Sequence, residues 1–418
     1  MDYVDTPSSW KMISLDEVCE LRKEAIHPNK YPDLPYVGLE HIDSSNSILK
    51  RSGSSFEVNS SKSKFHSGDI LYGKLRPYLD KSVLVDFDGM CSTDILVLKT
   101  KESIVPQFLV NIIHTSQFIN YAVNSSKGLN HPRTSWSSIS AFKFLLPPLP
   151  EQRAIARAMR AVQAAREARL REIALERERK AALMEHLFTH GTRGEPTKMT
   201  EIGEMPESWS MIQLEEACIK IVDCPHSTPH FSPAGVLVVR NFNIRNGRLD
   251  LKFPSYTTEE EYSERVKRCE PTEGDVLFSR EAPVGEACLV PPDVRLCLGQ
   301  RMMLLRVDTS KLNRFFLVQV FYSNAIRSIM MAISSGVTAK HLNVADVKRL
   351  RIPFSSMEEQ KQISDILSAC DSKITALEHE ASLHDELFRA MLEELMNGRL
   401  LTRYLIESGS DSSVLNDI

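Results

Sequence analysis

The chain has 418 residues, 42% hydrophobic and 25% charged, with a formal net charge of −4. That length exceeds one hydrophobic core and predicts two globular domains plus connecting elements. The near-balanced charge argues against a uniformly basic nucleic-acid binder, so any DNA-binding face must be local.

No run of 18 apolar residues occurs, and the start MDYVDTPSSW lacks the basic and apolar segments of a leader, so neither membrane insertion nor secretion is supported. The eight cysteines form no CxxC pair and read as small buried hydrophobes in a reducing, cytoplasmic compartment.

The chain repeats itself. Trp10-Lys11-Met12-Ile13-Ser14-Leu15 returns as Trp209-Ser210-Met211-Ile212-Gln213-Leu214, Gly68-Asp69-Ile70-Leu71 as Gly274-Asp275-Val276-Leu277, and Pro147 to Gln152 as Pro353 to Gln360. The offsets of 199, 206 and 206 to 208 positions are far longer than a solenoid repeat, so the unit duplicated is a domain with its own helix.

The first domain is expected over 1–149. Apolar runs at Ile70 to Tyr72, Ser82 to Val85 and Asp94 to Leu98 read as strands, and Pro106 to Asn120 as a short helix. From 150 to 190 the chain is rich in Ala, Arg, Glu and Leu. After Pro150 it holds no Gly or Pro until Gly191, which predicts one long helix. A linker is expected at 191–206. The second domain, 207–355, carries strands at Val236 to Val239, Val276 to Phe278, Cys288 to Val290 and Met302 to Val307, then a helix at Asn313 to Met331. A second long helix follows at 356–398, and 399–418 is a Ser- and Asp-rich tail.

Ile363, Leu367, Cys370, Ile374, Leu377, Ala381, His384, Phe388, Met391 and Leu395 alternate four and three apart, the spacing of a two-helix seam. In the first helix the corresponding seam is less regular: Ile155, Met159 and Val162 begin it, Leu170, Ala174, Ala181, Met184 and Phe188 continue it, and Arg166 and Arg177 interrupt it. Residues 150–190 hold nine bases against six acids and 358–397 ten acids against three bases, so the two helices are expected to pair as an antiparallel coiled coil. The predicted fold is therefore α+β, with two tandem domains separated and followed by long helices.

Catalytic signatures are weak. Gly68, Gly73 and Lys74 match GxxxxGK, but Leu75 replaces the Ser or Thr that a phosphate loop needs, and the interior is strand-like. No GxGxxG loop or adenine-methyltransferase signature appears. Cys224, His226 and His230 lack a second ligand cluster, so no metal is expected. The polar loops are more informative. Asp223 to Pro229 is dense in turn formers and donors, Lys74, Arg76 and Arg280 follow the Gly-Asp strands, and Ser125 to Arg133 and Ser334 to Asn343 occupy matching late positions.

Taken together, the duplication, the helix-opening segments PPLPEQRAI (147–155) and PFSSMEEQKQI (353–363), the paired Gly-Asp strands and Asp223-Cys224-Pro225-His226-Ser227-Thr228-Pro229 resemble the specificity subunit of type I restriction-modification systems, HsdS. The last of these departs from the family's DGPHGTP-like segment at Cys224 and Ser227.

The resemblance implies a noncatalytic, sequence-specific DNA-binding subunit. Its two target recognition domains would read a bipartite, asymmetric site on double-stranded DNA while the helices fix the spacer. It also implies two methyltransferase partners that modify adenine N6 with S-adenosylmethionine, and two translocase-endonuclease partners using ATP and Mg, with no cofactor on this chain. Lys74, Arg76, Lys127, Arg133, His226, Thr228, Arg280 and Lys340 are the candidate DNA contacts. A protein-binding coiled-coil scaffold without DNA specificity is the alternative, and an autonomous nuclease or methyltransferase a further one. The scaffold leaves two loop-rich domains without a purpose, and the enzyme lacks its motifs.

Overall fold

The computed structural model describes residues 9–400 except 129, 226 and 335–339. Two compact units result, one built from residues up to Leu170 together with those from His379 onward, the other from Arg171–Glu378, so each unit contains a stretch of both long helices.

In the first unit the entry strand Lys11–Ser14 pairs antiparallel with the exit strand Lys143–Leu146, Lys11 lying opposite Leu146. A four-stranded antiparallel sheet follows in the order Cys19–Leu21, Ile95–Thr100, Ile70–Gly73, Ser82–Leu84. A five-stranded sheet contains the parallel pair Pro35–Val37 and Gly89–Cys91. The second unit repeats this plan. Ser210–Gln213 pairs with Arg351–Phe354, the four-stranded sheet runs Cys218–Asp223, Met302–Val307, Val276–Ser279, Ala287–Leu289, and Val236–Val239 lies parallel to Leu296–Leu298.

The strand interiors are buried because their residues are apolar on both faces: Val276, Leu277 and Phe278 are all fully inaccessible. Tyr72, Phe118 and Phe142 interlock edge to face in the first core, with centroids 5.6 and 5.0 Å apart.

Each single helix expected late in a domain is two. Pro106–Ile113 and Ser116–Asn124 are separated at His114-Thr115, where the Thr115 hydroxyl accepts from the Phe118 N–H and the buried His114 ring bonds Asp80 at 2.7 Å and the Ser82 carbonyl at 3.0 Å. Arg314–Tyr322 and Asn324–Ile333 break likewise at Ser323. At both places a hydroxyl turns back on the preceding helix, Thr115 donating to the Ile112 carbonyl and Ser323 to that of Val320, a local competition with helix continuation that apolar periodicity does not register. The segment read as a linker also differs. Thr197–Thr200 and Gly203–Pro206 form a hairpin whose Met205 is fully buried beside Met184, Leu187 and Trp209.

The repeated Glu-Gln pair attaches each long helix to its domain. In the first unit Trp10 Nε1 donates to Glu151 at 3.1 Å. Gln152 accepts from the Val105 N–H at 2.8 Å and donates to the carbonyls of Ser103 and Pro147. In the second, Trp209 donates to Glu359 at 2.9 Å, while Gln360 accepts from the Asn313 N–H and donates to the carbonyls of Lys311 and Ser355. Both glutamines are buried, so the amide satisfies backbone groups that water cannot reach.

The long helices are Leu149–His190 and Met357–Met396. Along the second, Ile363, Leu367, Cys370, Ile374, Leu377, Ala381 and Leu395 are buried and Phe388 is half-buried, following the expected spacing. The first helix needs correction. Ile155, Met159 and Met184 are buried as expected, but Leu170 is 39% exposed and Ala174 and Ala181 face solvent, whereas Ile173, Glu176 and Leu187 are buried. Phe188 packs on its own domain, its ring 5.5 Å from Phe316 and 6.1 Å from Trp209.

Arg166 and Arg177, expected as interruptions, belong to a set of ionic residues that occupy part of this stripe. In the first unit Arg166 pairs with Asp385 at 2.5 Å and Arg169 with Glu380 at 2.6 Å. In the second, Lys373 pairs with Glu176 at 3.2 Å, Arg177 with Glu378 at 2.6 Å and Lys180 with Asp371 at 2.7 Å. Burial opposes ionisation of Glu176, yet Arg179 and Lys373 outweigh it and hold the carboxyl below its usual range.

Candidate nucleic-acid interface

The Gly-Asp motif is a strand-entry device. Gly68 and Gly274 adopt φ of +89° and +80°, a left-handed turn that glycine takes without strain. The aspartate that follows is buried and ion-paired. Asp69 accepts from Arg22 at 2.8 and 3.0 Å and from the His66 N–H at 2.8 Å. Asp275 accepts from Arg306 at 2.9 and 2.7 Å and from the Thr272 N–H at 2.8 Å. These pairs fix the strand whose far end delivers Lys74 in one domain and Arg280 in the other.

At that far end loops distant in sequence meet. In the first domain the Lys74 N–H donates to the Asp94 carbonyl at 2.9 Å, and the Thr134 N–H to the Lys74 carbonyl at 3.0 Å. Lys127 and Arg133 exchange backbone hydrogen bonds of 2.9 Å, and the Arg76 N–H donates to the Pro132 carbonyl at 2.7 Å. Lys74, Arg76, Lys127 and Arg133 therefore belong to one cluster. Arg76 sits in the left-handed region at φ +53°, its guanidinium 3.2 Å from His131 Nδ1. Lys127 and Arg133 are exposed, and Arg133 also meets Asp94 at 3.3 Å.

The second domain builds the same arrangement. The Arg280 N–H donates to the Arg301 carbonyl at 3.0 Å, and the Leu342 N–H to the Arg280 carbonyl at 2.7 Å, which brings exposed Lys340 beside this strand end. Thr228 is exposed and bonds Gln300 at 3.2 Å. His226 lies outside the described residues.

The loop around Thr228 is anchored from below. Arg265, its side chain almost wholly buried, donates to the carbonyls of Leu298 at 2.9 Å and Ser227 at 3.2 Å. Exposed His230 bonds Glu261 at 3.1 Å and, with Arg265, keeps that carboxyl below its usual range. Cys224 is buried, and burial beside Asp223 pushes its thiol up, away from the thiolate a metal would require. No group of three metal-capable side chains occurs among the described residues.

Arg280 takes a different part from the one expected of it. Its side chain is only 11% exposed and is spent on Asp223 at 3.1 Å and Glu281 at 3.7 Å, so it positions the loop. Sequence reading overlooks Arg240, Gln300 and Arg301, which border the same cluster: the Gly299 N–H donates to the Val239 carbonyl at 2.7 Å and Asn241 Nδ2 to the Ala282 carbonyl at 2.6 Å. Arg240 directly after the apolar run Val236 to Val239 and two residues before Phe242 was the available signal. Both clusters present donors of the kind that contact phosphates and base edges.

The family described as type I restriction modification DNA specificity domain matches residues 7–176 and 206–384. A Methanocaldococcus jannaschii protein assigned provisionally as the MjaX type I restriction enzyme specificity subunit is 23% identical over 95% of both chains. The Escherichia coli EcoDI specificity subunit is 32% identical over 153 residues, 36% of this chain and 34% of its own.

Two solved structures share the fold. One, from work on assembly and conformational transition of the type I R-M system, has a TM-score of 0.58 and 23% identity over 95% of this chain and 100% of that one. The other, the S subunit of a type I restriction-modification system from M. genitalium, has a TM-score of 0.59 and 12% identity over 94% and 98%. Two copies of one domain, each ending in a loop cluster rich in donors, accord with these matches: the chain belongs to the type I restriction-modification specificity subunits, the noncatalytic DNA-recognition components of those systems.

Proposed function

We propose that the chain reads a bipartite, asymmetric site on double-stranded DNA, one half per domain, and directs two methyltransferase subunits to adenine N6. The observation that carries this reading is one backbone frame bearing two different sets of side chains. On that frame Lys74, Asp94 and Arg133 of the first domain are matched by Arg280, Arg301 and His341 of the second, with exposed Lys127 and Lys340 on the adjoining loops. Equivalent frames with unlike donors read unlike half-sites.

The long helices act as an antiparallel coiled coil that sets the spacer between the halves. The ion pairs in each unit support this, joining the base-rich helix to the acid-rich one in opposite order, from Arg166 with Asp385 to Lys180 with Asp371. Near-neutral domains bind DNA weakly alone, because phosphate neutralisation supplies much of the affinity, and the methyltransferase partners supply the remaining positive surface. Those partners bring S-adenosylmethionine. Two translocase-endonuclease subunits using ATP and Mg join for cleavage, and the assembly works in the cytoplasm. No single helix among the described residues is long and apolar enough to cross a membrane.

Reconstitution with the methyltransferase and genome-wide mapping of methylated adenines tests the reading. A two-part motif with a constant gap is expected. Methylation or binding without sequence preference would sink it and favour the scaffold alternative, and activity of the purified chain alone would favour the enzyme alternative.

A further inference from the structure

The parallel strand pair ends identically in both domains except in what it presents. In the first, the Ser92 N–H donates to the Val37 carbonyl at 2.9 Å, and Gly38 opens a short turn closed by its N–H bonding His41 Nδ1 at 2.9 Å. In the second, the Gly299 N–H donates to the Val239 carbonyl, and the Arg240 N–H bonds Asn243 Oδ1 at 3.1 Å. Gly38 and Arg240 are therefore equivalent positions, as are Glu40 and Phe242. Gly38 carries no side chain and the Glu40 carboxylate lies where one would begin, while the nearby cations Arg51 and Lys81 are bonded to the Glu40 and Leu39 carbonyls.

The second domain offers a guanidinium held between two rings. The Arg240 Cζ lies 5.2 Å from the Phe231 ring centroid and 4.6 Å from that of Phe242. Gly299 lacks the side chain that would crowd the arginine stem. Phe231 lies two residues after Pro229, so the stack ties the Asp223 to Pro229 loop to the strand end. The described residues give the guanidinium neither a carboxylate nor a hydrogen-bond acceptor, in contrast to Arg280, Arg301 and Arg265. Stacking on aromatic faces orients the plane of an arginine while leaving its edge N–H groups unsatisfied. An oriented, unpaired fork of donors matches the O6 and N7 acceptors of guanine in the major groove.

We propose that Arg240 is a specificity-determining residue that reads one guanine in the half-site of the second domain. The inference rests on the two-domain reading above. Its equivalent in the first domain, Gly38, has no such fork, so one half-site alone carries this requirement.

The test uses the complete complex with its methyltransferase, assembled with wild-type chain, Arg240→Ala or Arg240→Lys, and selection of bound duplexes from a randomised pool at fixed salt. For both variants the expected result is loss of preference at a single G·C pair of one half-site, about 10- to 100-fold in relative affinity, with the other half-site and the spacer unchanged. Lysine keeps the charge but loses the two-pronged geometry, so it should fail nearly as badly as alanine. Assembly is checked by mass, so a folding defect is seen separately.

Uniform weakening across all sequences, restored by lysine and accompanied by a smaller salt dependence, would mean a phosphate contact and overturn the proposal. So would an unchanged preference. A wild-type complex with no two-part preference would overturn both this inference and the function it rests on, whereas a two-part preference insensitive to Arg240 would remove only this one.

Discussion

Replacing Gln360 with alanine should loosen the second domain from its helix, and the size of the effect follows from three hydrogen bonds. The side chain is fully buried, accepts from the Asn313 N–H at 2.8 Å, and donates to the carbonyls of Lys311 at 3.2 Å and Ser355 at 2.9 Å. Each such bond contributes about 0.5–1.5 kcal/mol net, and a buried N–H left unpaired costs about 1–3 kcal/mol. The expected loss is therefore about 3 kcal/mol, a shift of about 1–2 M in a urea midpoint at typical denaturant slopes. Gln360→Glu keeps the shape but turns an acceptor toward two carbonyls, and should be no better at neutral pH.

Urea unfolding measures the total, and hydrogen exchange locates it. Peptides around 311–317 and 355–363 should lose protection while those around 103–105 and 147–152, where Gln152 makes the same bonds, keep theirs. An unfolding free energy within about 0.3 kcal/mol of wild type, or equal loss of protection in both domains, would refute the assignment of the Glu-Gln pair as the helix anchor.

Other predictions follow from the core, the thiols and the loops. Leu367→Ala removes a fully buried seam residue in the core shared by the second domain and its helix, and should cost about 2–5 kcal/mol in denaturant unfolding, whereas Leu170→Ala, at an exposed position, should stay within about 0.5 kcal/mol.

Burial pushes the thiols of Cys19, Cys91, Cys218 and Cys288 up to about 12 and that of Cys297 to about 11. Their neutral forms are favoured by folding, so this contribution is intact below the unfolded pKa of about 8.5 and is lost as pH rises toward the folded values. Unfolding free energies measured at pH 8 and pH 10 should fall with pH, and fall less in a variant with Cys91 and Cys288 replaced by alanine after correction for its lower starting stability. Lys127→Ala, at an exposed loop tip, should weaken binding of the assembled complex evenly across sequences and reduce the slope of log affinity against log salt by about 1. A sequence-dependent effect would instead make Lys127 a base contact.

What the sequence determined by itself is whatever depends on neighbours along the chain. Repeated Trp, Gly-Asp and Glu-Gln segments revealed the duplication, an unbroken run of helix formers revealed Leu149–His190, and four-three spacing placed the buried face of Met357–Met396. Tertiary structure decided which polar residues are already occupied. The stripe of the first helix passes through Arg166, Arg169, Glu176 and Lys180 because their partners lie about 200 residues away, and apolar periodicity cannot see a charge neutralised from that distance. The same physics separates two arginines that look alike in sequence. Arg280 is engaged by Asp223, 57 positions earlier, while Arg240 is stacked on two rings and meets no acceptor among the described residues. Whether a charged side chain can meet DNA depends on what it already bonds, and those partners are brought to it only by the fold.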